Sequence, residues 1–370
     1  MKFSNKDYAE KSKTLAKFGL SLNNLIEELL LRDNIQIHSV THRVKDAKSV
    51  LRKLSSNPDK YSGITDLTDL LGIRIITYFP QDVDIVAEVM KRELKIDTKN
   101  SIDKRKLLEP NQFGYLSLHF VAELKPSRAQ LAEYSRFTKI KFEIQIRSIL
   151  QHAWAEIEHD LGYKAEGAVP NDMKRNFSRL AGLLELADEE FERIRAGLTK
   201  YEEHVDETIL ESPEKLMIDQ STIVAAITKE KAIQELDEVV AMAGGRRLAD
   251  NVDAQMSASE ARELRNLGIK DVEQLLQYSR NLKPYVKLFA TKWLSGNRAN
   301  ERTEPFRRGI GLFYLCYVLL AQADESTSSR WNKQLQKNYP DILTRVSTTW
   351  KEVVNELGLP KKIAKTKEFS

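Results

Sequence analysis

Apolar residues recur at helical spacing from Lys6 to Leu31, at Leu15, Phe18, Leu22, Leu25, Ile26, Leu29 and Leu30. This pattern predicts an opening amphipathic helix. A short strand is expected over Ile37–Val40, then a basic segment that reads as helical from Val44 onward. A short helix around Asp66–Leu70 leads to a strand at Ile73–Tyr78, stopped by Phe79-Pro80. Gln81–Leu94 has one apolar side and predicts a helix. A polar loop, Asp97 to Phe113, carries Lys99, Lys104, Arg105 and Lys106 and precedes a strand at Ser117–Leu124. In Phe142–Arg147 the apolar Phe142, Ile144 and Ile146 alternate with the polar Glu143, Gln145 and Arg147. That is the period of a strand with one face toward a core and one toward chemistry. A helix follows over Ser148–Leu161, and another runs from after Pro170 to about Tyr201.

Glu211-Ser212-Pro213-Glu214 interrupts the pattern, so domains are expected at 1–210 and 211–370. Beyond it, helices are expected at Ile223–Met242, Ser257–Leu267, Asp271–Ser279, Lys283–Leu294 and Ile310–Gln322, with one or two more over Trp331–Leu357. The expected fold class is therefore α+β: a mixed sheet flanked by helices, followed by a mostly α-helical C-terminal domain.

Composition narrows this picture without changing it. The 370 residues are 30% charged and 41% hydrophobic, with a formal net charge of +4. This is ordinary for a soluble protein and compatible with a polyanionic partner. One cysteine excludes an internal disulfide framework and a zinc site built on several thiolates. The N-terminus lacks the apolar core of a signal peptide, and Ile310–Ala321 is too short to span a bilayer at ~20 residues. The expectation is a cytoplasmic protein with no membrane association.

Five short motifs occur in one order: Asp69, Gly72 and Arg74; Gly114, Tyr115, Ser117, Leu118 and His119; Glu143, Gln145 and Arg147; His152, Trp154 and Ala155; Tyr163 and Lys164. Together they resemble the synthetase domain of the RelA/SpoT family, over roughly residues 35–165. The resemblance implies a nucleotidyltransferase-like sheet and an ATP-dependent pyrophosphokinase that transfers the β,γ-pyrophosphate of ATP to a ribose 3′-hydroxyl. It implies that Asp69 and Glu143 are catalytic and hold Mg²⁺. Arg43, Lys45 and Arg74 would grip the ATP phosphates, with further charge from Lys48 and Lys53. Tyr115, His119, Gln145 and Arg147 would form the acceptor site, with Tyr115 stacked on the base. His152 and Lys164 would support the site. His152, Glu156 and His159 also share one face of their helix, which leaves a metal-binding reading beside the structural one.

The second half weakly resembles that of fused toxin–antitoxin members of the family, the CapRel-like proteins, with a degenerate zinc-finger-like part. That resemblance implies the 3′-CCA end of tRNA as favoured acceptor, a translation-blocking role, and release by a phage protein in anti-phage defence. Many alarmone synthetases carry a basic residue after the stacking tyrosine, whereas Leu116 stands here. The alternative is an alarmone synthetase of the stringent response that uses GDP or GTP. Tyr314 and Tyr317, one helical turn apart, have two readings: core packing, or an autoinhibitory lid over the active site.

Overall fold

The computed structural model describes residues 5–107, 109, 114, 117–164, 170–295, 304–323 and 341–360. The chain divides into two compact units, Met1–Arg195 and Ala196–Ser370.

The first unit is built on a mixed sheet. Its strands are β1 (Ser39–Val44), β2 (Leu71–Thr77), β3 (Leu94–Ile96), β4 (Ile102–Asp103), β5 (Leu118–Leu124) and β6 (Phe142–Ser148). They lie in the order β1-β2-β6-β5-β3, with β4 also paired to β5. Only β2 and β6 run parallel; the other pairs are antiparallel. The sheet buries one face. Leu71, Ile73 and Ile75 of β2 and Phe142, Ile144 and Ile146 of β6 have no solvent exposure. Helix α1 (Asn5–Arg32) packs on that face. Its Phe18 stacks on Phe137 with centroids 4.6 Å apart and meets Phe142 edge-on at 5.4 Å. A Cβ on Gly19 would stand 2.4 Å from the His42 ring, so glycine lets α1 approach β1.

Helices α2 (Ala47–Ser56), α3 (Asp82–Glu93) and the four-residue α4 (Pro126–Ala129) complete the first half of this unit. Helix α5 (Ile149–Lys164) leaves directly from β6, and α6 (Asn171–Thr208) follows. Trp154 of α5 donates its indole N–H to the Phe177 carbonyl of α6 at 3.2 Å. Buried Ser148 donates to Asp188 of α6 at 2.9 Å, tying α6 to the end of β6. Burial raises the Asp188 carboxyl to about 6, against this hydrogen bond.

The second unit is helical: α7 (Gln220–Lys229), α8 (Lys231–Ala243), α9 (Ala254–Asn266), α10 (Val272–Ser295), α11 (Ile310–Leu320) and α12 (Ile342–Leu357) follow the end of α6. Apolar α11 lies at the centre, against α8. A Cβ on Gly311 would sit 2.5 Å from Leu236 Cβ and 2.7 Å from the Asp237 nitrogen, so the two backbones touch there. Buried Asp237 accepts from the N–H groups of Gly309 and Gly311, at 2.7 Å each, and so caps α11 from a neighbouring helix. Buried Glu260 pairs with Arg307 at 2.5 Å.

Several boundaries differ from the sequence expectations. The strand after α1 covers Ser39–Val44 rather than Ile37–Val40, because it pairs along the whole of β2. Asp66–Leu70 is not a helix; a 3-10 turn closes at Asp66 and frees Asp69 to face the site. The expected helix Ile223–Met242 is two helices that meet at Glu230, and the two expected helices around Lys283 are one, α10, which continues through Pro284. Tyr314 and Tyr317 are each 4% exposed, within a cluster that includes Phe289, Phe313 and Trp293. This corrects the lid expectation: rings packed in the interior of their own unit do not present a face to a nucleotide site. Among the described residues no helix is long and apolar enough to cross a membrane.

Candidate active site

The face of the sheet opposite α1 carries the motif residues, and strand register decides which of them meet. Parallel pairing of β2 with β6 sets Gly72 opposite Glu143 and Arg74 opposite Gln145. Antiparallel pairing of β1 with β2 sets Arg43 opposite Gly72. Directly paired residues share a face. One cross-strand row therefore holds Arg43, Gly72 and Glu143, and the next holds Arg74, Gln145 and, on β5, His119. Gly72 leaves the middle of its row without a side chain, and a Cβ there would meet nothing closer than 3.9 Å. The open space belongs to a cavity of about 490 Å³ lined by Arg43, Lys45, Arg52, Lys53, Asp69, Gly72, Arg74, Glu143, Gln145 and His159, together with two serines.

Asp69 sits in the loop just before β2. Its Oδ2 accepts from Lys45 and, at 2.6 Å, from Lys53 of α2. Burial pushes the Asp69 carboxyl up, but these two ammonium groups outweigh it and hold the group below its ordinary value. Its Oδ1 is buried and meets no hydrogen-bond partner among the described residues. Glu143 is held at both oxygens: His119 Nδ1 lies 3.1 Å from Oε1, and the Gln145 amide donates to Oε2 at 2.8 Å. Burial again opposes ionisation, and the His119 and Gln145 contacts prevail, so Glu143 is an anion at neutral pH. His119 Nε2 lies 2.7 Å from the Ser117 hydroxyl, which fixes the ring between serine and glutamate.

The site thus gathers Arg43, Lys45, Arg74, Asp69, Glu143 and Gln145 around one cavity, with His119 behind Glu143. Arg147 does not join them. It is 2% exposed and pairs with Glu156 of α5 at 3.2 Å, because its position near the end of β6 aims it under that helix. A buried guanidinium held this way is a strut rather than an acceptor contact, which corrects the expectation for it. His152 lies 3.8 Å from the same Glu156 oxygen, and burial followed by the Arg147 charge lowers its pKa. Among the described residues no group of three or more His, Cys, Asp or Glu side chains is placed to hold a metal ion, and His152, Glu156 and His159 form none. Tyr115 lies outside the described residues, as does the side chain of Lys164. Lys53 is more central than the sequence suggested. Its place one turn from the end of amphipathic α2 was the available signal.

Residues 42–168 match the model of a region found in RelA / SpoT proteins. Over 166 residues the chain is 32% identical to the GTP pyrophosphokinase YjbM of Bacillus subtilis (strain 168), an alignment covering 44% of this chain and 74% of that protein. The chain belongs to the RelA/SpoT family. It is 30% identical to a second GTP pyrophosphokinase of the same organism, YwaC, over 43% of this chain and 74% of the relative. Among solved structures, the small alarmone synthetase 1 of Bacillus subtilis is 25% identical and is matched over its full length and 53% of this chain, with a TM-score of 0.45. As a RelA/SpoT member the protein is a pyrophosphokinase, and the cavity on the sheet lies within the matched segment. The family match ends at residue 168 and carries nothing about the helical unit.

Proposed function

We propose that this protein transfers the β,γ-pyrophosphate of ATP to the 3′-hydroxyl of GDP or GTP and is an alarmone synthetase. The observation that carries the reading is the convergence of two ionised carboxylates and at least four cations on one cavity. Two named GTP pyrophosphokinases at 32% and 30% identity support the acceptor. In the reaction the acceptor O3′ forms a bond to the β-phosphorus, and the bond from that phosphorus to the oxygen bridging the α-phosphate breaks. AMP leaves with that oxygen. The 3′-hydroxyl proton passes to the Glu143 carboxylate, which His119 and Gln145 hold in place. Arg43, Lys45, Lys53 and Arg74 neutralise the polyphosphate, where charge develops in transfer.

The buried, unpartnered Oδ1 of Asp69 beside the Glu143 carboxylate fits a hard divalent cation. Asp69 and Glu143 would hold Mg²⁺, which supplies charge neutralisation at the phosphates when bound. The tRNA 3′ end, with its translation-blocking and phage-released role, gains no support from the relatives. Leu116, where a basic residue often stands, keeps it as the second arm of the test. The purified chain is incubated with ATP labelled at the γ-phosphate and with GDP, GTP or total tRNA. Label is expected in a guanosine tetra- or pentaphosphate. Label in tRNA and none in the nucleotides overturns the acceptor assignment.

A further inference from the structure

Glu156, which the sequence offered only as part of a His/Glu/His face, is a carboxylate that joins two strands of the sheet to α5. Its Oε1 lies 3.1 Å from Arg74 Nη1 on β2 and 3.2 Å from Arg147 Nη2 on β6. The two arginines differ. Arg147 is buried, whereas Arg74 keeps 29% of its side chain exposed and lines the cavity. Arginine carries five N–H donors in a rigid planar fork, so a carboxylate that takes one of them fixes the plane and leaves others to face a second anion. Glu156 is not among the residues that line the cavity, and its Oε1 engages one end of the fork of an arginine that does. The grip is itself fixed. Arg147 holds the same oxygen from below, and α5 continues directly from the strand that bears Arg147.

We propose that Glu156 is a positioning residue that orients the Arg74 guanidinium toward the ATP polyphosphate. An arginine on an open sheet face otherwise samples many rotamers, and ordering it on binding costs affinity. A strut of one carboxylate and one buried guanidinium meets that cost in the folded protein before ATP arrives. The proposal rests on the reading of the cavity as the ATP site.

The test is steady-state kinetics on the full chain with Glu156→Gln, Glu156→Ala, Arg74→Ala and the double variant Arg74→Ala with Glu156→Ala, each with a thermal melt. Glu156→Gln retains the shape and an acceptor for Arg147, which keeps the test informative where the alanine variant unfolds. Removal of the grip is expected to raise the KM for ATP about three- to tenfold, the scale of freeing one long side chain, while kcat changes less. In the Arg74→Ala background the same change should leave the ATP KM where Arg74→Ala alone put it, since the effect acts through Arg74. A structural role alone would lower the melting temperature and kcat with the ATP KM unmoved, and that result overturns the proposal. So does a KM that falls, because Glu156 would then compete with phosphate for Arg74. If Arg74→Ala itself leaves the ATP KM unchanged, the ATP reading of the cavity fails. A raised KM in Arg74→Ala with none in either Glu156 variant rejects the positioning role alone.

Discussion

Both units bring charged side chains together away from bulk water, and they do so to opposite ends. In the first, Asp69 and Glu143 face an open cavity among lysines and arginines, and neighbouring groups hold both carboxyls below their ordinary values despite burial. In the second, Asp237 and Glu260 lie within close-packed helices, and burial raises both carboxyls although hydrogen bonds and Arg307 pull the other way. The balance of burial against partners separates a place for chemistry from a joint in the scaffold. Asp69, ionised with an oxygen to spare, suits a ligand, whereas Asp237, committed to two backbone N–H groups, fixes a helix.

The sharpest break in this comparison comes from its first member. Asp69→Asn or Glu143→Gln should lower pyrophosphate transfer by about a hundred- to a thousandfold while the melting temperature moves little. Normal turnover by either variant would remove the catalytic assignment. The second member should respond in stability instead. Tyr314→Ala, which empties a packed aromatic site, is expected to cost about 3–5 kcal/mol in chemical denaturation. Such a variant, if well folded and more active than the parent, would restore the lid that its burial argues against. Asp237→Ala leaves the N–H groups of Gly309 and Gly311 unmet inside the unit and should cost about 1–3 kcal/mol by the same assay.

The smallest effect is one of pH. Glu260 titrates at about 7 in the folded chain against an ordinary 4.5. A carboxyl raised by folding stabilises fully below its unfolded value, and the contribution is lost as pH rises through the folded one. Between about pH 4.5 and 7, Glu260→Gln should therefore flatten the fall in melting temperature seen in the parent. Asp69 and Glu143 work in the other direction: both are lowered, so their contributions are present above their unfolded values and lost as pH falls. Parent and variant melting curves of equal slope over that window would show that Glu260 does not titrate as its burial indicates.

The sequence made the sheet face readable because strand alternation is local: Phe142–Arg147 shows by itself which side chains are polar. The register that brings Glu143 level with Gly72 is not local, and neither is the fate of Arg147, which alternation alone groups with Glu143 and Gln145. A residue on α5 decides it. The same limit hid Tyr314 and Tyr317, whose i, i+3 spacing describes a core stripe and an exposed one equally well. The break expected between Ser279 and Lys283 is absent, and α10 runs on through Pro284. The boundary near Val44 slipped because a short basic strand and the start of a basic helix share one composition.

The parallel pairing of β2 with β6 also bears on when the enzyme comes into being. Antiparallel neighbours such as β1 and β2 lie near each other along the chain, but Gly72 and Glu143 are brought level only after helix α3 and strands β3 to β5 have been passed. Long loops of this kind close late and slowly. A nascent chain that has just released Asp69 from the ribosome holds one of the two cavity carboxylates and lacks the strand that bears the other. In refolding from denaturant, recovery of helical signal should run ahead of recovery of transfer activity, so the catalytic centre is among the last parts of the first unit to exist.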